Sequence, residues 1–330
     1  MNVLDGPMND RAVYELFEST KPLGITPEAL GGVQVGTFGL PEFGTAFVQP
    51  VVLESKPKTF ADLLQVSGLT HGTDVWLGNA QDLIKNGICD ISQVIGTRDG
   101  IMLDLIRYGL ENGIAFKIME SVRKGRGLTP EWIDEMRKHD VPEWYIESCL
   151  KIKYMFPKAH AAAYVMSAIR VGWFKVHMPV AFYCAMFTSS VSDFDASIAL
   201  PGKANVFYEL NRIKKLGREA SQKEQGMVST LELMNECLAR GIKFLPVSLT
   251  ESAAKEFLPA GDHAIRLPFL SLNGLGETAA LRIVEEREKS YFFSVDDLQT
   301  RAALNKSVVE ILRDQGVLDG LQETDQLSMF

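Results

Sequence analysis

"LNGLGETAALRIVEER", residues 272–287, decides how this chain is read. Leu272, Gly274, Leu275, Gly276, Ala280 and Ile283 stand at the spacing of a helix-hairpin-helix, a turn that opens directly into a helix. Two glycines one residue apart permit positive φ, so consecutive backbone N–H groups can point outward where the helix begins. A helix start carries partial positive charge, so such a hairpin can hold a phosphate oxygen without reading a base. Leu275 is expected to plug the hairpin onto its helices and Ala280 to let them approach closely. Further on, Ser294 with Asp297 three residues later has the form of a capping box. "LNKSVVEILRDQGVL" (304–318) then supplies a second turn and helix without the glycine pair. Paired hairpins of this kind straddle the strands of a duplex. Asn273, Gly274, Leu275, Gly276, Thr278 and Lys306 are therefore the candidate DNA contacts. The plainer reading is that Gly-x-Gly here only starts a helix.

Outward from this motif, most of the chain reads as helix. Thr59 caps a helix in "PKTFADLLQVSGL", with Asp62 in the box position and Gly68 expected to close it. Thr129 and Pro130 open another, and a further helix starts at Pro142 with Trp144, Ile146, Leu150 and Tyr154 as core-side residues. The apolar run at 161–187 is interrupted by Arg170, Lys175 and His177 and broken by Pro179, which predicts two buried core helices and no membrane span. "TSSVSDFDASIALPGK" (188–203) is small, polar and broken by Pro201-Gly202, and reads as a domain boundary. The segment 242–269 holds the strand-like runs and predicts a small hairpin.

Composition sets limits. With 46% hydrophobic and 23% charged residues the chain has an ordinary globular balance. The four cysteines lack metal or redox spacing, and the opening residues lack a secretory pattern. A net charge of −8 leaves nucleic-acid binding to local basic faces. One such face lies at 117–160: Lys117, Arg123, Lys124 and Arg126 around a glycine turn, then Lys151, Lys153, Lys158 and His160 near Tyr154 and Phe156. Cations with interleaved aromatics suit a triphosphate or strand and a stacked base. The same window is rich in acids, so a solvated helix face would look similar. There is no P-loop, no nucleophile elbow and no strand-borne Asp-x-Asp pair.

"GTFGLPEFGTAFV" (36–48), "KPKTFADLLQVSGLTHGTDVWLGNAQDLI" (56–84), the long block 116–179 and the final "QLSMF" (326–330) occur in an order that resembles PolC-type DNA polymerase III alpha subunits. These are the replicative C-family polymerases of low-GC Gram-positive bacteria. The resemblance covers essentially all 330 residues, and it places the chain in the C-terminal part of such a subunit. It implies a mainly α, multi-domain chain: a helical fingers domain, then a duplex-binding domain with tandem helix-hairpin-helix motifs and a small β element. The implied layout is fingers at 1–190, a helical and small-β part at 191–262, tandem hairpins at 263–321 and a flexible clamp-binding tail at 322–330. It further implies that Arg98, Lys117, Arg123, Lys124, Lys158 and His160 grip the incoming dNTP, with Tyr154 on the base side. In the tail, Gln326, Leu327 and Phe330 match the family's clamp ligand, and Met329 replaces its usual leucine. The family's catalytic aspartates lie in a palm upstream. No catalytic residue is therefore expected on this chain, Mg2+ would be held by the absent palm, and the fragment alone should be inactive. The expected partners are primer-template DNA, dNTP, the sliding clamp (beta subunit) and the remainder of the alpha subunit, in the cytoplasm at the replisome, with no membrane. The alternative is a non-catalytic adaptor that binds DNA and tethers to the clamp. A palm coding region ending near Met1 would separate the two.

Overall fold

The computed structural model describes residues 3–324. Among them are thirteen α-helices of seven or more residues, numbered here α1 to α13, and three short strands. By packing, the chain divides into two compact units. The first comprises residues up to Glu28 with Gly32–Val176, and the second Ala29–Gly31 with His177 onward.

The first unit is helical. Its helices are α1 (Val48–Ser55), α2 (Phe60–His71), α3 (Arg98–Arg107), α4 (Asn112–Arg123), α5 (Pro130–Lys138), α6 (Glu143–Lys151) and α7 (Lys158–His177), the last ending at the boundary. Local chemistry starts several of them. Thr59 and Asp62 form a reciprocal capping box at α2, Thr97 caps α3 and Thr129 caps α5 ahead of Pro130. Leu63, Val66 and Leu69 of α2, Ile101 and Leu105 of α3, Ile118 and Val122 of α4 and Val165 and Ile169 of α7 are buried together in one core. Lys175 is buried there as well, and its ammonium donates to the carbonyls of Gly36 (2.8 Å) and Phe38 (2.6 Å).

Two expectations fail here for physical reasons. Gly68 does not end α2, which runs on to His71. It lies inside the helix, at a point where a Cβ would sit 1.9 Å from the Gly96 carbonyl oxygen. The core face of α6 is Tyr145, Ile146, Ser148 and Cys149, whereas Leu150 and Tyr154 are exposed.

The second unit contains α8 (Pro179–Ser189), α9 (Lys203–Leu216), α10 (Gln222–Ala239), α11 (Glu277–Lys289), α12 (Val295–Arg301) and α13 (Lys306–Asp314). Its division from the first falls at Val176/His177, ahead of the 188–203 segment, because α8 packs within this unit. The Tyr183 hydroxyl donates to Glu236 at 2.7 Å, and the Phe187 ring meets Phe194, Phe244 and Phe257. Ala29 joins it through a hydrogen bond from the Asn235 side chain. The strands β1 (Lys243–Leu245), β2 (Leu258–Pro259) and β3 (Ala264–Arg266) form a sheet ordered β1-β3-β2. The expected hairpin is the antiparallel β2–β3 pair, and β1 adds to it in parallel. The run at 161–187 forms α7 and α8, separated at Met178, and no helix among the described residues is long and apolar enough to cross a membrane.

Candidate nucleic-acid and nucleotide interface

In the first unit, the start of α3 and the start of α7 are stitched together. The Arg98 N–H donates to the Phe156 carbonyl at 3.2 Å, and the Lys158 N–H donates to the Asp99 carboxylate at 2.8 Å. Arg98 and Lys158, sixty residues apart in sequence, therefore flank one carboxylate, and the Arg98 guanidinium lies 3.9 Å from it. Asp104, one turn along α3, accepts from the buried Tyr145 hydroxyl at 3.2 Å and pairs with Arg107. Burial raises its carboxyl above the usual range, opposed by the Tyr145 hydrogen bond and by the charges of Arg107 and Lys158.

Four rings form a ladder beside these cations. His71 and Phe156 stack at 4.9 Å, Phe156 meets His160 edge-on at 4.8 Å, and His160 meets Tyr164 at 4.8 Å. The last three fall four residues apart, on one face of a helical start. His71 is held at both ring nitrogens, by Glu42 at 2.5 Å and the Ser67 carbonyl at 2.7 Å.

The remaining candidates gather separately. Arg123 and Lys124 both pair with Glu120, whose carboxyl is pulled down to about 2, first by the Arg123 hydrogen bond and then by Lys124. Tyr154 lies near Arg123 and is bridged by backbone to Thr73, with Thr73 N–H donating to the Tyr154 carbonyl at 3.0 Å. A Cβ on Gly125 would lie 2.5 Å from the Lys153 carbonyl oxygen, so the glycine turn packs against the same segment. Lys117 stands exposed, its charge acting on Glu111. The sequence reading missed Asp99, His71 and Tyr164. The four-residue aromatic spacing was available as a clue, but the pairing with residue 71 was not.

In the second unit, the hairpin at 272–276 is formed. Gly274 has φ of +89°, the Leu275 N–H donates back to the Leu272 carbonyl, and Leu275 and Ala280 are buried. Gly276 departs from expectation: its φ is −82°, the extended conformation of a cap residue, and no side chain caps α11 behind it. A Cβ at Gly276 would meet nothing within 4 Å. Asn273 is engaged within the protein, its amide donating to Asp195 and its oxygen accepting from Lys223, both at 3.2 Å. Thr278 is exposed on the first turn of α11. The second hairpin repeats the first in φ but not in hydrogen bonding, its Leu304 N–H donating to the Gln299 carbonyl. Ala303 takes positive φ (+49°) where Gly274 does, Leu304 is buried like Leu275, and Asn305 caps α13 ahead of exposed Lys306. Arg301 joins the two elements, its guanidinium donating to the carbonyls of Glu286, Ser290 and Tyr291 and lying over Phe292. Gln326, Leu327, Met329 and Phe330 lie outside the described residues.

Residues 1–140 match the bacterial DNA polymerase III alpha subunit finger domain, and residues 241–327 match a helix-hairpin-helix motif. The chain is similar over nearly all of its length to a segment of the PolC-type DNA polymerase III proteins. The PolC-type enzymes of Oceanobacillus iheyensis and Bacillus subtilis are each 50% identical over 324 residues, and that of Staphylococcus aureus (strain MW2) 49%. Each alignment covers 98% of this chain and 22% of the relative, so the chain spans about a fifth of the length of the curated relatives it matches.

Proposed function

We propose that this chain is the nucleotide- and DNA-gripping portion of a replicative DNA polymerase, working when joined to a palm. The observation that carries the reading is the convergence of Arg98, Lys158 and His160 at the stitched starts of α3 and α7. Two cations stand beside an aromatic ladder, which suits a polyphosphate with its base alongside. The exposed His160 and the half-buried Tyr164 take the base side in preference to Tyr154. Arg123 and Lys124 form a second basic patch held by Glu120. The paired hairpins supply sequence-independent contacts to the primer-template backbone.

Among the described residues no group of three or more His, Cys, Asp or Glu could hold a metal ion. Gln322 and Glu323, expected in a flexible tail from 322, are bonded back to the start of α12, accepting from the Val295 and Asp296 N–H groups, so in this reading residues 326–330 serve as the clamp ligand, with Leu327, Met329 and Phe330 entering the partner. The layout, in this reading, is fingers through 190, the helical and small-β part to 262, and hairpins to 321.

Lys158→Ala in the complete polymerase tests the nucleotide site. A charge-assisted hydrogen bond contributes about 1.5–3 kcal/mol, so kcat/KM for incorporation should fall about 10- to 100-fold with primer-template affinity nearly unchanged. An equal loss at the DNA-binding step in single-turnover kinetics would move Lys158 to the template or primer.

A further inference from the structure

In the first unit, a cleft of about 940 Å³ lies where the end of α1, the start of α2, and the short helix Gln81–Lys85 with the turn after it come together. A volume of this order suits a small molecule. Its charged lining is unevenly spent. Glu54 accepts from the Gln81 amide at 2.8 Å, and Asp62 accepts from the Lys58 and Thr59 N–H groups, both at 2.9 Å. Asp90 accepts from the Ser92 N–H at 2.8 Å and from its hydroxyl at 2.6 Å. Every carboxylate of the lining is therefore already engaged by a neutral donor. Lys56, Lys58 and Lys85 are exposed on the same lining, and among the described residues none of their ammonium groups meets a carboxylate. Lys56 also holds φ of +50°, the left-handed conformation for which a helix end ordinarily uses glycine. A lysine there trades backbone ease for an ammonium beside the cleft. Ile84, Ile88 and Ile91 supply an apolar surface.

We propose that this cleft binds a small phosphorylated molecule, with a run of phosphates against Lys56, Lys58 and Lys85. A less polar body, of the kind a nucleoside carries, lies against Ile84, Ile88 and Ile91. With the carboxylates satisfied internally, the three ammonium groups are the unmatched charge, and an ammonium is a point-charge partner for phosphate oxygens. The cleft touches α2 at Asp62, whereas the ring ladder begins at His71, about 14 Å further along the same helix. It is a second site, separate from Arg98 and Lys158, and it does not depend on the nucleotide reading above.

Titration calorimetry on the complete polymerase, free of DNA and at constant ionic strength, tests the site with two probes, inorganic triphosphate and adenosine triphosphate. Both should bind, the nucleotide about tenfold more tightly because its body covers the apolar surface. Lys56→Gln, Lys58→Gln and Lys85→Gln combined should weaken both by at least about a hundredfold, since each ammonium contributes a charge-assisted hydrogen bond. Ile88→Ser should weaken the nucleotide about threefold and leave triphosphate unchanged. Lys158→Ala should leave both isotherms as they are. Far-UV circular dichroism and melting temperature confirm that each variant is folded. Unchanged binding by the triple-lysine variant, or loss of binding in Lys158→Ala, would overturn the site. Equal affinity for the two probes would overturn the nucleoside-like body. An oligoglutamate peptide that binds more tightly than either probe would overturn the small ligand in favour of an acidic segment of another protein.

Discussion

Gly68→Ala sets two rules against each other. On an exposed helix, replacing an interior glycine by alanine stabilises by about 1 kcal/mol, because glycine has more backbone freedom to lose. Gly68 lies within α2 with the 96–97 turn pressed against it. An added Cβ would sit 1.9 Å from the Gly96 oxygen, 2.7 Å from its carbonyl carbon and 3.1 Å from the Thr97 methyl. Side-chain Cβ atoms essentially never come closer than 3.0 Å, so helix and turn must separate by at least 1.1 Å. The obstructing atoms are mostly backbone and cannot rotate away. Overpacking a core by a methyl costs about 1–3 kcal/mol, and this site belongs at the upper end. The net expectation is a loss of about 2 kcal/mol, or a fall of about 4–8 °C in Tm for a unit of this size. The moved turn carries Thr97, which caps α3, and leads into Arg98, so nucleotide use in the complete polymerase should also fall. Thermal unfolding followed by circular dichroism gives the direct answer. A higher Tm in the alanine variant would show that the close approach of α2 to the turn is not real.

Two further expectations concern charge and the tail. Glu120 is held at about 2, below its ordinary 4.5, so what it contributes is fully present above about pH 4.5 and is lost as pH falls towards 2. Glu120→Gln should flatten the acid limb of the stability curve between those values, and an unchanged limb in acid-unfolding titrations would count against the Arg123–Glu120–Lys124 cluster. Deleting 326–330 from the complete polymerase should abolish clamp binding and processive synthesis while Tm and distributive extension barely move. Retained clamp affinity with a large drop in Tm would make those residues part of the core instead.

Much of this was legible because it is local. Thr59, Thr129 and Ser294 announce helices through a hydrogen bond that spans three residues, and Leu275 and Ala280 take their burial from one turn. Gly276 and Gly68 were legible as glycines but misread. The sequence cannot distinguish a glycine kept for φ from one kept for space: Gly276 has an ordinary negative φ, and Gly68 is pressed against a neighbouring carbonyl. The α6 face was misassigned because Leu150 and Tyr154 looked apolar enough for a core. Tyr145 and Cys149 are turned inward instead, with the Tyr145 hydroxyl satisfied by Asp104 from 41 residues away. Asp99 and His71 were invisible for the same reason: their partners, Lys158 and Phe156, are distant in sequence and arrive only when the core has closed.

The short passage from Lys153 to Lys158 is anchored along its length. Lys153 and Tyr154 pair with Thr73, Phe156 accepts from Arg98, and the Lys158 amide rests on Asp99. In mechanical terms it is a splice without slack between α6 and α7. A force applied at Lys158, such as the pull of a bound anion, is therefore handed at once to the end of α2 and the start of α3, without being absorbed in a connecting loop. The beginning of α7 is thus tied on two sides, to Thr73 and to the start of α3. On the proposed reading, the cations and the stacking surface would reach a ligand together, already spaced.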